Sequence, residues 1–395
     1  MGDEHWREVS LGDIVNLKRG YDLPTNERQP GPFPVVSSSG FTGTHDEAKV
    51  QPPGVVTGRY GTLGEVYFVD EPFWPLNTTL YVQDFKGNDP RYVAYLLKSL
   101  DLAGLVASAA VPGINRNHLH PLSVRIPDVP LQRELAGAVA AFDRLIENNQ
   151  RRIEILEEMT RLIYREWFVH FRFPGHEDDE LVDSDLGPIP DGWDAVPLSD
   201  LVTTQYGYTE SAQDDPVGPR YLRGMDMNKT SFIDWSTVPY CPISDSDREK
   251  FKVHVGDVFV IRMADPGKIG ICEREVDAVF ASYLVRLKPI DSRLLPYYLF
   301  FTLSDDRYQG WVTGASTGAT RKSVSAKVMT EPAVVLPPQH AQAQFVDTIA
   351  PIRGLLTNLL EQNGVLAEAR DLLLPRLISG ELDVSDLDLD LEPVA

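Results

Sequence analysis

Ten residues at the start of this chain are restated 187 positions later, and that restatement limits the fold more than any other feature. Trp6-Arg-Glu-Val9-Ser-Leu11-Gly-Asp13-Ile-Val15 opens one half, and Trp193-Asp-Ala-Val196-Pro-Leu198-Ser-Asp200-Leu-Val202 opens the other. Trp, Val, Leu, Asp and Val stand in the same register, and the alignment continues without a gap to Gly20-Tyr21 and Gly207-Tyr208. A repeat this long exceeds any solenoid unit. It predicts two copies of one recognition domain, suited to a target that itself has two parts.

Each copy closes on a long helix-forming stretch. From Leu131 a 4-3 spacing runs through Leu135, Val139, Phe142, Ile146, Asn149, Ile153, Leu156, Thr160, Ile163 and Trp167, with charged and amide residues between. This is a coiled-coil seam. Pro130 stands at its start, where a helix tolerates proline. Roughly 38 residues at ~1.5 Å each make a rod of about 57 Å. The second stretch runs Phe345, Ile349, Ile352, Leu356, Leu359, Asn363, Leu366, Arg370, Leu373, Leu377. Pro351 is expected to kink or restart it, Gly354 and Gly364 to weaken it, and Pro375-Arg376 to mark its end before Gly380. Each helix alone would expose its stripe, so the economical arrangement packs one on the other. An antiparallel pair would bring the seam asparagines, Asn149 and Asn363, together as a buried pair that fixes register. The alternative is that one or both lie at a solvated edge.

The arms, 1–128 and 193–337, read as mixed α/β. Strand-like runs fall at Pro34–Ser37, Gly54–Thr57, Glu65–Val69 and Thr79–Val82, then at Asp257–Arg262, Ile269–Glu273, Phe280–Leu287 and Ala333–Leu336. Short helices are expected at Pro90–Leu100 and Leu294–Leu303. Three loop motifs recur loosely: Gly58-Arg59-Tyr60-Gly61-Thr62-Leu63-Gly64 with Arg262–Gly270, Leu76-Asn77-Thr78-Thr79-Leu80-Tyr81 with Phe280–Leu284, and Pro112–His118 with Gly318–Ser323. Each sets Arg, Lys or Asn beside Gly, Thr or Ser on a turn after a strand. Such loops suit DNA, because guanidinium forks and amides read base edges while hydroxyls and backbone N–H groups hold phosphates. Read singly, the glycines merely turn hairpins; recurrence in both arms favours a binding surface. The candidate DNA contacts are Arg19, Tyr21, Arg59, Asn77, Thr78, Asn115, Arg116 and Asn117 in arm one. In arm two they are Tyr206, Tyr208, Arg223, Arg262, Lys268, Arg321, Lys322 and Ser323.

Composition first points away from nucleic acid: the 395 residues carry a net charge of −21. Seven acids at 175–192 and six at 381–395, with no Lys or Arg in either run, account for 13 of those charges and leave −8 elsewhere. Such runs read as a solvated linker and tail. The remaining acidity, with 11 Lys against 26 Arg, could reflect a salty cytoplasm. An apolar run of membrane length, a signal peptide and a cysteine framework are not found, so a cytoplasmic chain with two reduced thiols, Cys241 and Cys272, is expected. His118 and His120 read as loop residues rather than zinc ligands. A phosphate-binding G-x-x-x-x-G-K-[ST] loop, an ordered nuclease carboxylate set and an amino-methyltransferase signature are missing too, so the chain reads as non-catalytic and metal-free.

The whole pattern resembles the specificity (S) subunit of type I restriction–modification enzymes, over about residues 6–382. The motifs that carry the resemblance are the Trp-x-x-Val-x-Leu-x-Asp openings, Trp74-Pro-Leu-Asn77-Thr-Thr-Leu-Tyr-Val, Gly113-Ile-Asn-Arg-Asn-His, Tyr164-Arg-Glu-Trp-Phe-Val-His-Phe171 and Leu374-Pro-Arg-Leu-Ile-Ser-Gly-Glu381. The resemblance implies two target recognition domains (1–128, 193–337) joined by two long antiparallel coiled-coil helices (129–173, 338–380) with pseudo-two-fold symmetry. An acidic linker (174–192) and a disordered acidic tail (381–395) complete the expectation. It further implies a DNA-reading subunit for an asymmetric bipartite site in phage defence. Two adenine-modifying methyltransferase (M) subunits and translocase–nuclease (R) subunits would be its partners. S-adenosylmethionine, ATP and Mg would sit on those partners, with no cofactor in this chain. The acidity implies that partners supply much of the phosphate neutralisation. The alternative is an interaction scaffold whose arms bind protein without reading DNA.

Overall fold

The computed structural model describes residues 5–102, 104, 113–316 and 323–382. It forms two compact units: Met1–Asn148 with Val365–Ala395, and Asn149–Gly364. The acidic tail from residue 383, with its expected disorder, lies outside the described residues, as do Arg321 and Lys322.

The duplication extends to topology. In the first unit the opening strand Trp6–Ser10 pairs antiparallel with Ser123–Pro127; in the second, Asp194–Pro197 pairs antiparallel with Ala333–Leu336. Each unit then carries a four-stranded sheet of one order. In the first, Asn16–Arg19 lies beside Thr79–Asp84, then Gly54–Gly58, then Val66–Val69; in the second, Val202–Tyr206 lies beside Leu284–Pro289, then Val258–Ile261, then Ile269–Ile271. A parallel pair follows in both, Phe33–Ser37 with Trp74–Pro75 and Arg220–Leu222 with Ala278–Phe280.

The shared Gly-Tyr of the alignment has a steric reason. A Cβ on Gly20 would stand 2.2 Å from the Leu76 carbonyl oxygen, and one on Gly207 would stand 2.3 Å from that of Ala281. The next residues, Tyr21 and Tyr208, bridge to Leu76 and Ala281. Only glycine lets the strand end pass that close. The same crossing splits the strand expected over Phe280–Leu287: Ala278–Phe280 and Leu284–Pro289 are separate, because Ala281–Tyr283 turn to meet the Tyr208 backbone.

The central helix runs Val129–Tyr164 and the C-terminal helix Gln339–Ile378. The central helix passes into a π-turn over Arg165–Val169 rather than continuing as α-helix to 173. Two expectations for the C-terminal helix fail. Pro351 does not restart it, and it continues past Pro375 to Ile378. Pro351 and Asp347, whose carbonyl loses its helical partner, are both exposed, so water can take that bond.

Each unit pairs the start of one helix with the end of the other, which makes the packing antiparallel. In the first, Leu131, Leu135 and Val139 share a core with Leu374, Leu377 and Ile378. In the second, Tyr164 and Phe168 share one with Phe345 and Ile349. Asn149 Nδ2 donates to Asn363 Oδ1 at 3.0 Å, and Asn149 is buried. The layer at the equivalent positions 210 residues away, Leu359 with Ile153, is apolar and buried. One of two equivalent layers is therefore polar, which marks register.

Exposed apolar residues repeat at the same 210-residue interval. Leu145, Ile155 and Leu162 are exposed on the central helix, and Leu355, Val365 and Leu372 on the C-terminal helix. Each unit thus holds one copy of the set.

Replacing Asn149 alone by Leu should destabilise the second unit by about 1–2 kcal/mol, because it strands the Asn363 amide against an apolar side chain. The Asn149→Leu, Asn363→Leu chain should recover most of that loss. Urea unfolding of the four chains of this double-mutant cycle decides; strictly additive losses would mean that the pair sets no register.

Candidate nucleic-acid interface

In each arm the same three backbone segments meet at an arginine. Arg59 N–H donates to the Thr78 carbonyl at 2.9 Å, and the Arg59 carbonyl accepts from Ile114 N–H at 3.0 Å. Arg262 N–H donates to the Tyr283 carbonyl at 2.9 Å, and the Arg262 carbonyl accepts from Val324 N–H at 2.9 Å. Each arginine leaves a buried central strand and is clamped between two loops by main-chain bonds, so its side chain starts from a fixed point.

This clamp corrects the third loop pairing. Ile114 matches Val324, so Asn115 matches Ser325, not a residue of Gly318–Ser323. Both cap short helices: the Asn115 side chain accepts from Asn117 N–H before Arg116–Leu119, and the Ser325 hydroxyl accepts from Val328 N–H before Ala326–Met329. Asn115 is therefore occupied as a cap, while Arg116 and Asn117 are exposed on the helix that it starts.

The remaining candidates of arm one divide by how much hydrogen-bonding capacity they keep. Arg59 is half-buried with its guanidinium over the Tyr60 ring at 4.7 Å. Thr78 Oγ1 accepts from Ser38 N–H at 3.4 Å, which brings the Ser37–Ser39 hairpin tip into the cluster. That tip was missed, since a serine run at a turn has no distinguishing pattern. Asn77 donates to Asp22, and Asp22 also pairs with exposed Arg19 at 3.1 Å. The Tyr21 hydroxyl bonds the Tyr81 hydroxyl at 3.0 Å, and its ring packs edge-on against Trp74, so it is mainly structural.

In arm two Arg262 lies over the half-exposed Tyr206 ring at 5.0 Å. Its buried Nε finds no hydrogen-bond partner among the described residues, which leaves donor capacity unused at the clamp. The Tyr206 hydroxyl accepts from Ala326 N–H at 3.0 Å. Ser323 bridges to Met263 on the rim, and Lys268 is exposed there. Arg223 is held elsewhere: its fork and backbone N–H all bond Asp226, which holds the guanidinium pKa above its usual value despite burial. It closes a turn. The Tyr208 ring packs on Phe251, and its backbone makes the crossing already described.

Other titratable groups lie near the cluster or are buried in the arms. His120 Nε2 accepts from Leu17 N–H at 3.1 Å, which requires the neutral ring. Burial, then Arg116 and Lys86, lower its pKa. Burial pushes the Cys241 and Cys272 thiols up to about 11 and about 12, so both stay protonated. Among the described residues no three His, Cys, Asp or Glu side chains gather as a metal site, and no helix is long and apolar enough to cross a membrane.

The fold is thus that of two α/β arms, each presenting a clamped arginine among polar loops and each packed on an antiparallel helix pair. Residues 3–158 match the family described as type I restriction modification DNA specificity domain. The MjaIX specificity subunit of Methanocaldococcus jannaschii is 24% identical over 314 residues, covering 75% of this chain and 70% of its own. The MjaVIII specificity subunit of the same organism is 21% identical over 410 aligned residues, covering 98% and 95%. The S subunit of a type I restriction–modification system from M. genitalium superposes with a TM-score of 0.59 at 16% identity, over 95% of this chain and 97% of that one, and so shares the fold. The chain is similar in sequence to type I restriction enzyme specificity subunits over nearly its whole length.

The His120 bond carries a pH dependence of known sign. Its folded pKa lies below the ordinary 6.5, so the unfolded chain takes up the proton first. The stabilisation is complete above pH 6.5 and declines as pH falls from there through the folded value. A His120→Gln chain keeps an acceptor that does not titrate. The difference in Tm between the two chains should be flat above pH 6.5 and grow against the native chain below it; a difference independent of pH would assign the proton-linked loss elsewhere.

Proposed function

We propose that this chain is the non-catalytic sequence-reading subunit of a type I restriction–modification complex and binds a split, asymmetric site in double-stranded DNA. The observation that carries this reading is the clamped arginine, Arg59 in one arm and Arg262 in the other, held at the same junction by the same main-chain bonds. A fixed guanidinium is suited to bidentate recognition of a guanine edge. The surroundings differ between arms, with Tyr60, Ser38 and Thr78 at one and Tyr206, Ser323 and Lys268 at the other, so the two half-sites differ. Arg116, Asn117, Asn77 and Arg19 extend the arm-one surface toward bases and phosphates. Arg321 and Lys322, next to Ser323 in the chain, are the remaining arm-two candidates.

The complex is completed by two methyltransferase subunits and by translocase–nuclease subunits, which carry S-adenosylmethionine, ATP and Mg; this chain needs no cofactor and works in the cytoplasm. The repeated exposed residues support a symmetric pair of docked methyltransferases. Leu355, Ile155 and Leu162 in one unit match Leu145, Val365 and Leu372 in the other. Partner surfaces also answer the charge of −21, since basic partners can neutralise phosphates that this chain cannot. That acidity favours a second reading, a protein scaffold that reads no DNA.

Methylation-aware sequencing of the host genome with and without the gene tests both readings. The expected result is one motif, two specified halves around a fixed unspecified gap, that disappears with the gene. Arg262→Ala should relax one position of a single half-site, at a cost of ~1–3 kcal/mol. Ile155→Glu with Leu162→Glu should abolish the motif while leaving the loops intact. A methylome indifferent to the gene would leave only the scaffold.

A further inference from the structure

The two arms build the same turns around their arginines but finish them with different chemistry. Shared main-chain bonds fix which residues correspond. Leu76 N–H donates to the Val36 carbonyl in arm one, as Ala281 N–H donates to the Leu222 carbonyl in arm two. Three residues further on, Ser39 therefore matches Met225. Arg59 N–H and Arg262 N–H donate to the Thr78 and Tyr283 carbonyls, so Thr78 matches Tyr283. Arm one sets small hydroxylated residues at both places. Arm two sets a thioether and an aromatic ring there.

Met225 is 66% exposed and Tyr283 is 55% exposed, and among the described residues neither packs on a core cluster. Tyr206 differs from them. Like Tyr60 in arm one it lies under its arginine, and its hydroxyl accepts from Ala326 N–H. The backbone beneath the two exposed side chains is fixed. Arg223 closes the turn that carries Met225: its N–H and its fork donate to the Asp226 carboxylate, and Asp226 N–H donates back to the Arg223 carbonyl at 3.1 Å. A Cβ on Gly224 would stand 3.3 Å from Ile261 Cδ1, so this turn lies beside the residue that precedes Arg262. Tyr283 stands on a turn closed by Leu284 N–H to the Ala281 carbonyl at 2.9 Å, and the Arg262 guanidinium donates to the Ser282 carbonyl at 3.4 Å.

We propose that Met225 and Tyr283 read thymine in the arm-two half-site, burying C5-methyl groups beside the base that Arg262 contacts. The inference rests on the DNA-reading function proposed above and adds a base type to it. In the major groove thymine offers a methyl group where cytosine offers an amine donor. A thioether or a ring face gains by covering the methyl. Against cytosine the same side chains would strand the amine without an acceptor. Ser39 and Thr78, at these places in arm one, can pair with donor and acceptor edges alike. Arg223 is then a positioning residue for Met225, which accounts for a fork turned onto Asp226 rather than toward DNA.

Binding of the assembled complex to duplexes carrying its methylated motif tests this, with deoxyuridine in place of thymine in the arm-two half-site. Arg262→Ala identifies that half-site as the one it relaxes. The half-site should contain thymine, and deoxyuridine there should weaken binding about fourfold for each buried methyl group. The Met225→Ser, Tyr283→Thr chain, which carries the arm-one residues at both places, should bind the two duplexes alike. The deoxyuridine comparison uses the native chain, so it decides even where the double substitution disturbs the arm. A half-site without thymine, native binding indifferent to deoxyuridine, or a loss that persists unchanged in the substituted chain overturns the inference and leaves DNA reading intact. Absence of sequence-specific binding to any duplex overturns both.

Discussion

The docking of the second unit's loop onto its helices is organised around a buried cation. Arg353 sits on the C-terminal helix, fully buried, and its fork donates to both Glu273 oxygens at 2.8 and 2.6 Å. It also donates to the Ser231 hydroxyl and carbonyl at 2.8 and 3.0 Å, and Tyr297 donates to Glu273 at 2.9 Å. Burial is the largest single influence and opposes the charge, but the Glu273 hydrogen bonds together with the negative charge of Glu273 and, more weakly, of Glu157 offset it and hold the guanidinium pKa above normal. The Ser231 N–H in turn donates to Glu157 of the central helix at 2.9 Å. One loop is therefore tied to both helices, and the next residue, Phe232, packs on Ile153, Leu356 and Leu359 between them. A buried ion pair of this kind is poor evidence of stability; its use is to permit one docking geometry.

The first unit answers with different chemistry at the same position. Asp143, 210 residues before Arg353, accepts from Tyr95 at 2.6 Å and from Arg370 of the C-terminal helix at 2.8 Å. Below both, identical glutamines fix the arm to the helix start. Gln132 accepts from Asp89 N–H and donates to the Asn88 side chain and the Pro127 carbonyl; Gln342 accepts from Leu295 N–H and donates to the Arg293 and Pro337 carbonyls. Each satisfies the entry to the helix packed against it, Pro90–Ser99 or Pro296–Ser304. The glutamine anchor is thus common to both units, while the ion pairs above it and the rims around Arg59 and Arg262 differ.

How much of this could be read in advance follows from the range of the interactions. The opening repeat, the seams and the Asn149–Asn363 pairing are visible because register and period are local. Arg353 is invisible for the opposite reason. It lies between the seam residues Ile352 and Leu356 as one charge on a helix, and only Glu273, 80 residues back, explains its burial. Gln132 and Gln342 hide in the same way. Among the site residues, sequence places Arg59 and Arg262 at one kind of junction. It cannot separate them from Arg223 or Asn115, whose chemistry is alike but whose donors are taken up by Asp226 and by a helix cap. Pro351 misleads because a helix breaker is costly only where water cannot replace the lost bond.

Buried polar docking, and not only the apolar cores, holds the arms to the helices. Hydrogen exchange of an Arg353→Met chain tests that most directly. Release of the docking predicts much faster exchange at residues 228–236 and 349–360, with the sheet strands 258–261 and 284–289 still protected. Equal protection at the docking loop, or loss of protection throughout the unit, would contradict it.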